Sequence, residues 1–352
     1  MFLFCKRLGR SFRVDKVFLR SYRLPRMDCH YNRPARALPS WTVAASTLFA
    51  LNAASVGQST IPNSQPATPI RGAHYPALSP DGRKLCFEYL GDLWTVESGG
   101  GIASRLTVHA AYDAYPHWSP DGRWIAFSSN RRGNFDVYLI PSKGGDSRQI
   151  TINSADDFVQ DWSPDGSQIL FSSARDSRYA DLYTLSVKDG RLRRITNDKS
   201  SSRYASFTAD GKSILYTRGR QEWWRPRYKG SANGEIYSIS VADGKTRRLT
   251  YYDGFDAWPL PASDGRFLYC VSDRGGTANL CKMNLTGTNA VPVTSHISDA
   301  VRFPTIARNG SRVAYEREFE IWTLDLEQPT AGIHPIPLRI FVATDARRET
   351  RT

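Results

Sequence analysis

Three aspartates, Asp113, Asp157 and Asp256, each stand nine residues before the glycine of a recurring turn. Carboxylates repeated at one position could form an acidic ring that meets a peptide amine or a metal ion, or each could cap its own backbone turn. A second recurring set is basic. Arg131, Arg132, Arg175, Arg178, Arg225, Arg227 and Arg274 lie in segments that follow short apolar runs, interleaved with Tyr179, Trp223, Trp224 and Tyr228. Arginine forks grip carboxylates in two-point geometry and large rings add contact area, so this set is the candidate interface for a peptide or protein partner.

Bond-making chemistry has no comparable support. There is no Gly-x-Ser-x-Gly, and of the six histidines His109 and His296 recur at equivalent positions, which favours structural hydrogen bonding over catalysis. The five cysteines are scattered and no histidine pair has ligand spacing, so neither a metal, a cofactor nor a catalytic residue is expected.

The elements that must position these residues are written as repeats. Six turns carry the pattern: Ser79-Pro80-Asp81-Gly82, Ser119-Pro120-Asp121-Gly122, Ser163-Pro164-Asp165-Gly166, Thr208-Ala209-Asp210-Gly211, Ala262-Ser263-Asp264-Gly265 and Ala307-Arg308-Asn309-Gly310. Their glycines are 40, 44, 45, 54 and 45 residues apart. Four strand-like runs per period in the forties indicate an all-β fold, a six-bladed β-propeller of four-stranded antiparallel blades. Five residues past each turn glycine stand Phe87, Phe127, Phe171, Tyr216, Cys270 and Tyr315, and a second column reads Trp94, Tyr138, Tyr183, Tyr237, Cys281 and Trp322. Rings at such positions fill the space between blades. Blade five replaces both rings with cysteine at once, so Cys270 and Cys281, on neighbouring strands, are the disulfide candidate. Each blade is contiguous in sequence, which predicts a ring closed by packing alone, with the last blade ending around Ile336 to Ile340.

Charge divides the chain. The net charge is +13, but residues 1–36 hold ten Lys or Arg against Asp15 and Asp28, so +8 belongs to a leader and the blades are only mildly basic. The apolar stretch Trp41 to Val56, with small residues at Ala53-Ala54-Ser55, has the form of a secretory signal peptide and is short for a membrane span. The expected organisation is a basic leader and signal peptide over 1–58, a Ser/Pro/Gln-rich spacer over 59–70, the propeller over 71–340 and a tail over 341–352. Export to a periplasm follows, with no stable membrane span after cleavage, and export argues against nucleic acid as partner of the basic rim.

With the blades aligned, the chain resembles the TolB-type propeller repeat, and more closely the amino-terminal six-bladed propeller of bacterial tricorn-like serine peptidases. The residues that carry this are Leu78-Ser79-Pro80-Asp81-Gly82 with Gly91-Asp92-Leu93-Trp94, Arg105-Leu106-Thr107-Val108-His109 with Tyr112-Asp113, the blade-four insertion from Glu222 to Ser231, and Val301-Arg302-Phe303. The resemblance implies a non-catalytic, proteolysis-associated module that binds peptides or proteins, a peptidase domain on another chain among them, since nothing here matches the family's catalytic segment. It also implies that propeller arginines anchor a peptide carboxylate, for which Arg131-Arg132 is the pair here. The alternatives are a TolB-like periplasmic scaffold for envelope proteins and a carbohydrate-binding or hydrolytic propeller.

Overall fold

The computed structural model describes residues 68–221, 225, 228–327 and 334–343. The leader, Trp223, Trp224, Arg227 and the tail from 344 lie outside the described residues. Within them the expected architecture is present: six four-stranded antiparallel sheets, five of them made of strands consecutive in sequence and the first skipping only the short strand Gly101–Ile102. Blade two is representative, with Asp113–Trp118 innermost, then Trp124–Ser129, Asp136–Pro141 and the short outer strand Arg148–Gln149. The innermost strands touch in sequence order, and the first, His74–Leu78, meets the last, Arg302–Ile306, to complete the ring.

Local chemistry accounts for the turns. In Ser79-Pro80-Asp81-Gly82 the Gly82 N–H donates to the Ser79 carbonyl, and the Ser79 hydroxyl donates to Asp81 Oδ1 at 2.6 Å while accepting from the Lys84 N–H. The same set recurs around Ser119 and Ser163. Gly82 closes the turn at a φ of 72°, a conformation that costs a side chain strain.

The two ring columns are direct cross-strand partners: Phe87 faces Trp94, Phe127 faces Tyr138, Phe171 faces Tyr183, Tyr216 faces Tyr237 and Tyr315 faces Trp322. Each member of the first column is fully buried, so these pairs are core. The threonines near the end of each blade have a definite task. The hydroxyls of Thr107, Thr151, Thr196, Thr250 and Thr294 accept the N–H groups of Leu93, Val137, Leu182, Ile236 and Leu280 at 2.9–3.0 Å, satisfying third-strand donors that the short outer strand does not reach.

Two expectations need correction. Cys270 and Cys281 are opposite one another in register, but both thiols are free. Directly paired strand positions hold their Cβ atoms about 4.5–5.5 Å apart, beyond the ~3.8 Å that a disulfide prefers. The thiols pack instead as small hydrophobes with Leu215, Ile236, Leu249 and Met283. Ring closure also uses more than packing. Ile336–Pro337 is the outer strand of blade six, and the chain continues to Ile340–Val342, which pairs antiparallel with Thr68–Pro69 and parallel with Gly101–Ile102. This clasp joins the two ends of the propeller to blade one, and burial of Ile340 and Val342 with Leu85 and Val96 drives it. Gly100 permits the approach: a Cβ there would lie 2.7 Å from the Arg339 carbonyl oxygen.

Candidate functional site

The recurring aspartates and arginines form one structure. Asp113 accepts from Arg131 at 2.8 Å, Asp157 from Arg175 at 2.5 Å and Asp256 from Arg274 at 2.7 Å, each pair 18 residues apart within a blade. All three carboxylates are buried, and Ser129 donates a further bond of 2.6 Å to Asp113. The guanidinium of Arg131 lies over Phe127 and Tyr138, and that of Arg175 over Phe171 and Tyr183, so each arginine caps the end of a ring pair. Arg274 lies over Tyr252, since blade five has cysteines in place of the rings. The aspartates therefore neither cap their own turns nor form an acidic ring open to a ligand. They neutralise the arginines, and Arg131, Arg175 and Arg274 are taken up by the fold.

The repeated acids of the third strand are similarly occupied. Asp92 binds Arg105, Asp181 binds Arg194 and Glu235 binds Arg248. Asp92 and Asn279 also accept the backbone N–H groups of His109 and His296, which is the structural hydrogen bonding that their recurrence indicates. Among the described residues no group of three or more His, Cys, Asp or Glu is placed to hold a metal ion.

What remains on the same rim is a smaller patch between blades three and four. Tyr179 stands between two exposed arginines, with Arg178 at 4.7 Å and Arg220 at 5.5 Å from its ring centroid. Arg178 donates to the Tyr179 hydroxyl, which lowers the pKa of that phenol. Arg225 lies 4.6 Å from the ring of Tyr228 in the following insertion, and Arg132 is exposed on blade two. Of the candidate binding residues, Arg132, Arg178, Arg225 and Tyr228 thus face outward or lie in the insertion, and Trp223, Trp224 and Arg227 are among those outside the described residues.

The channel holds a feature that the sequence reading missed. Seven residues before the turn glycines stand Tyr75, Tyr115, Val159, Tyr204, Trp258 and Phe303, and the five aromatic ones all have positive φ, between 44° and 52°. The ladder between first and second strands shifts register around each of these five residues, so a bulge turns each ring toward the axis. The rings interlock, with centroids 4.1 Å apart for Tyr75 and Tyr115, 4.8 Å for Tyr75 and Phe303, and 4.4 Å for Tyr204 and Trp258. Left-handed backbone is costly for bulky residues, and its repetition marks a conformation maintained by the surrounding ring. The signal was available: aromatic residues followed by Pro76, Pro116, Pro259 and Pro304 form a column of their own.

Below this collar a cavity of about 370 Å³ runs to the Ser-Pro-Asp-Gly turns. Arg308 reaches across it from the turn of blade six to blade three, opposite in the ring, and donates to Asp161 Oδ1 at 3.0 Å and to the Trp162 carbonyl at 2.8 Å. His117 also lines the cavity, its pKa lowered to about 4 by burial and by the charge of Arg308. Burial raises the pKa of Asp161, against the opposing pull of Arg308.

Comparison with known proteins agrees with this architecture. The tricorn protease crystal structure is similar with a TM-score of 0.64 at 20% identity, covering 76% of this chain and 26% of that one. TolB from Acinetobacter baumannii is similar with a TM-score of 0.57 at 20% identity, covering 75% of this chain and 63% of that one. At these identities the likeness is one of fold. An uncharacterized protein of Agrobacterium fabrum (strain C58) is 33% identical over 72 residues, 19% of this chain and 24% of that protein, so the chain matches only about a quarter of that relative's length. The model of the tricorn protease N-terminal beta propeller domain matches residues 72–330, and the chain belongs to that family.

Proposed function

We propose that this chain is an exported propeller that binds acidic peptide or protein segments at the corner between blades three and four, in association with proteolysis and without supplying catalytic residues itself. The observation that carries the reading is the Arg178, Tyr179 and Arg220 stack, together with Arg225 beside it. After the buried pairs are accounted for, these guanidiniums are cations still turned to solvent, held against rings that fix their planes. That is an arrangement suited to carboxylates and to flat contact. The tricorn protease is a protease, and the match to it lies in the propeller, so a peptidase activity would reside on other segments or on a partner chain. Export rests on the Trp41 to Val56 stretch, and amino-terminal sequencing of secreted material beginning near residue 55–59 would support it.

Fluorescence anisotropy with a labelled Glu- and Phe-containing peptide tests the binding surface. A variant carrying R178A, R220A and R225A is expected to lose binding at least about tenfold with its melting temperature unchanged, as for removal of charge-assisted contacts at a surface. Equal binding by wild type and variant, or equal binding of a Lys-containing control peptide, would refute the assignment.

A further inference from the structure

We propose that the cavity below the aromatic collar is a second binding site, specific for a small organic acid with an apolar or aromatic body, in which Asp161 occupies the place of the ligand's carboxylate. Nη2 of Arg308 is bonded to Asp161 and to the Trp162 carbonyl, and its side chain is 29% exposed, so the fork is held from one side and open on another. The His117 imidazole lines the same space. Trp258, 5% exposed at the collar, has a buried indole N–H with no acceptor. Three donor-bearing groups thus line one cavity, and the unsatisfied indole N–H among them is unusual, because buried polar groups in folded proteins nearly always find partners.

The rest of the wall is mainly proline, aliphatic and aromatic, with Gln160, Ser206, Ser263 and Thr305 among it. Pro76, Pro116, Pro259 and Pro304 stand where the bulged strands have no N–H to offer, and the collar rings close one end. A cavity of a few hundred Å³ with apolar walls and a few convergent polar groups is the usual form of a small-molecule site. The fold itself supplies an anion for it. Asp161 arrives from the blade opposite Arg308, and its other oxygen accepts the Phe207 N–H at 2.8 Å, so it would remain hydrogen-bonded if Arg308 turned to an incoming carboxylate. At the equivalent turn position the other blades have Pro80, Pro120, Pro164, Ala209 and Ser263, so the cross-channel guanidinium is particular to blade six. This site is separate from the rim surface and does not depend on it.

Titration calorimetry with 3-phenylpropanoate and its amide, followed also by tryptophan fluorescence, tests the proposal. The acid is expected to bind and the amide to bind at least about tenfold more weakly, the difference expected of a charge-assisted contact. Arg308→Met should abolish the preference for the acid. Asp161→Asn, which keeps an acceptor for Phe207, should strengthen acid binding by removing the competing anion. Variants at Arg178 and Arg220 should leave acid binding unchanged, so failure of the rim reading would not affect this one. Circular dichroism melting identifies a variant that fails to fold, and Asp161→Asn alone then decides the matter. No measurable binding of the acid, equal binding of acid and amide, or weaker acid binding by Asp161→Asn would overturn the proposal.

Discussion

Arg175 donates to Asp157 at 2.5 Å, its guanidinium lies over the rings of Phe171 and Tyr183, and the carboxylate it meets is completely buried. Removing one partner of such a pair strands a charge, whereas replacing both with apolar groups removes the need for either. Arg175→Met is therefore expected to cost about 3–5 kcal/mol in urea unfolding, and adding Asp157→Leu should recover a large part of the loss. A loss under about 1 kcal/mol for Arg175→Met would mean that the pair is incidental, as exposed pairs are.

The threonine column makes a second prediction. Thr151 Oγ1 accepts the Val137 N–H at 2.9 Å in a buried position. Thr151→Val preserves the shape and leaves that N–H unsatisfied, a cost of about 1–3 kcal/mol, while Thr151→Ser should retain most of the stability. Denaturant midpoints of the two variants compared with wild type decide it, and equal midpoints for valine and serine would contradict the assigned role.

The seam between first and last blades should respond to pH. His74 Nδ1 lies 3.2 Å from Glu316 Oε2, and that hydrogen bond raises the histidine pKa above its usual 6.5 against the opposing effect of burial. Glu88 adds to the rise and Arg302 opposes it. A raised histidine pKa means that the native state holds the proton more tightly. Its contribution is complete below about pH 6.5 and fades as pH rises past the folded-state value. Because the imidazole is 41% exposed, solvent screening limits the effect to about 1 kcal/mol or less. Melting temperatures of wild type and His74→Gln should differ at pH 5.5 and converge by about pH 8.5. A gap that widens with rising pH would show the opposite linkage.

The thiols make the last prediction. Cys86, Cys270 and Cys281 are buried and free, and burial pushes the Cys86 and Cys270 thiols far above their usual range and that of Cys281 to about 11. Iodoacetamide should leave all three unmodified in the folded protein at pH 7.5 and alkylate all three after denaturation without reductant. Recovery of a Cys270 to Cys281 cross-linked peptide from a non-reduced digest would reverse the finding of free thiols.

The blades were legible in the amino-acid order because their causes are local. A glycine at positive φ closes each turn, a serine or threonine hydroxyl holds most of them, and alternation over six residues decides which side chains face the neighbouring blade. These are interactions between residues a few positions apart, repeated often enough for the columns to be aligned by eye. The core role of Phe127 and Tyr138 followed from the same repetition. The allocation of charge did not. Asp157 and Arg175 read as an acid capping its own turn and a base open to a ligand, because nothing in their order says that the second strand returns the arginine to the carboxylate's side. The union of Thr68–Pro69 with Ile340–Val342, and of Arg308 with Asp161 across the channel, depends on ring closure. Closure is set by how six sheets pack around an axis, a property of the summed geometry of the blades, and it brings together residues that no local preference relates.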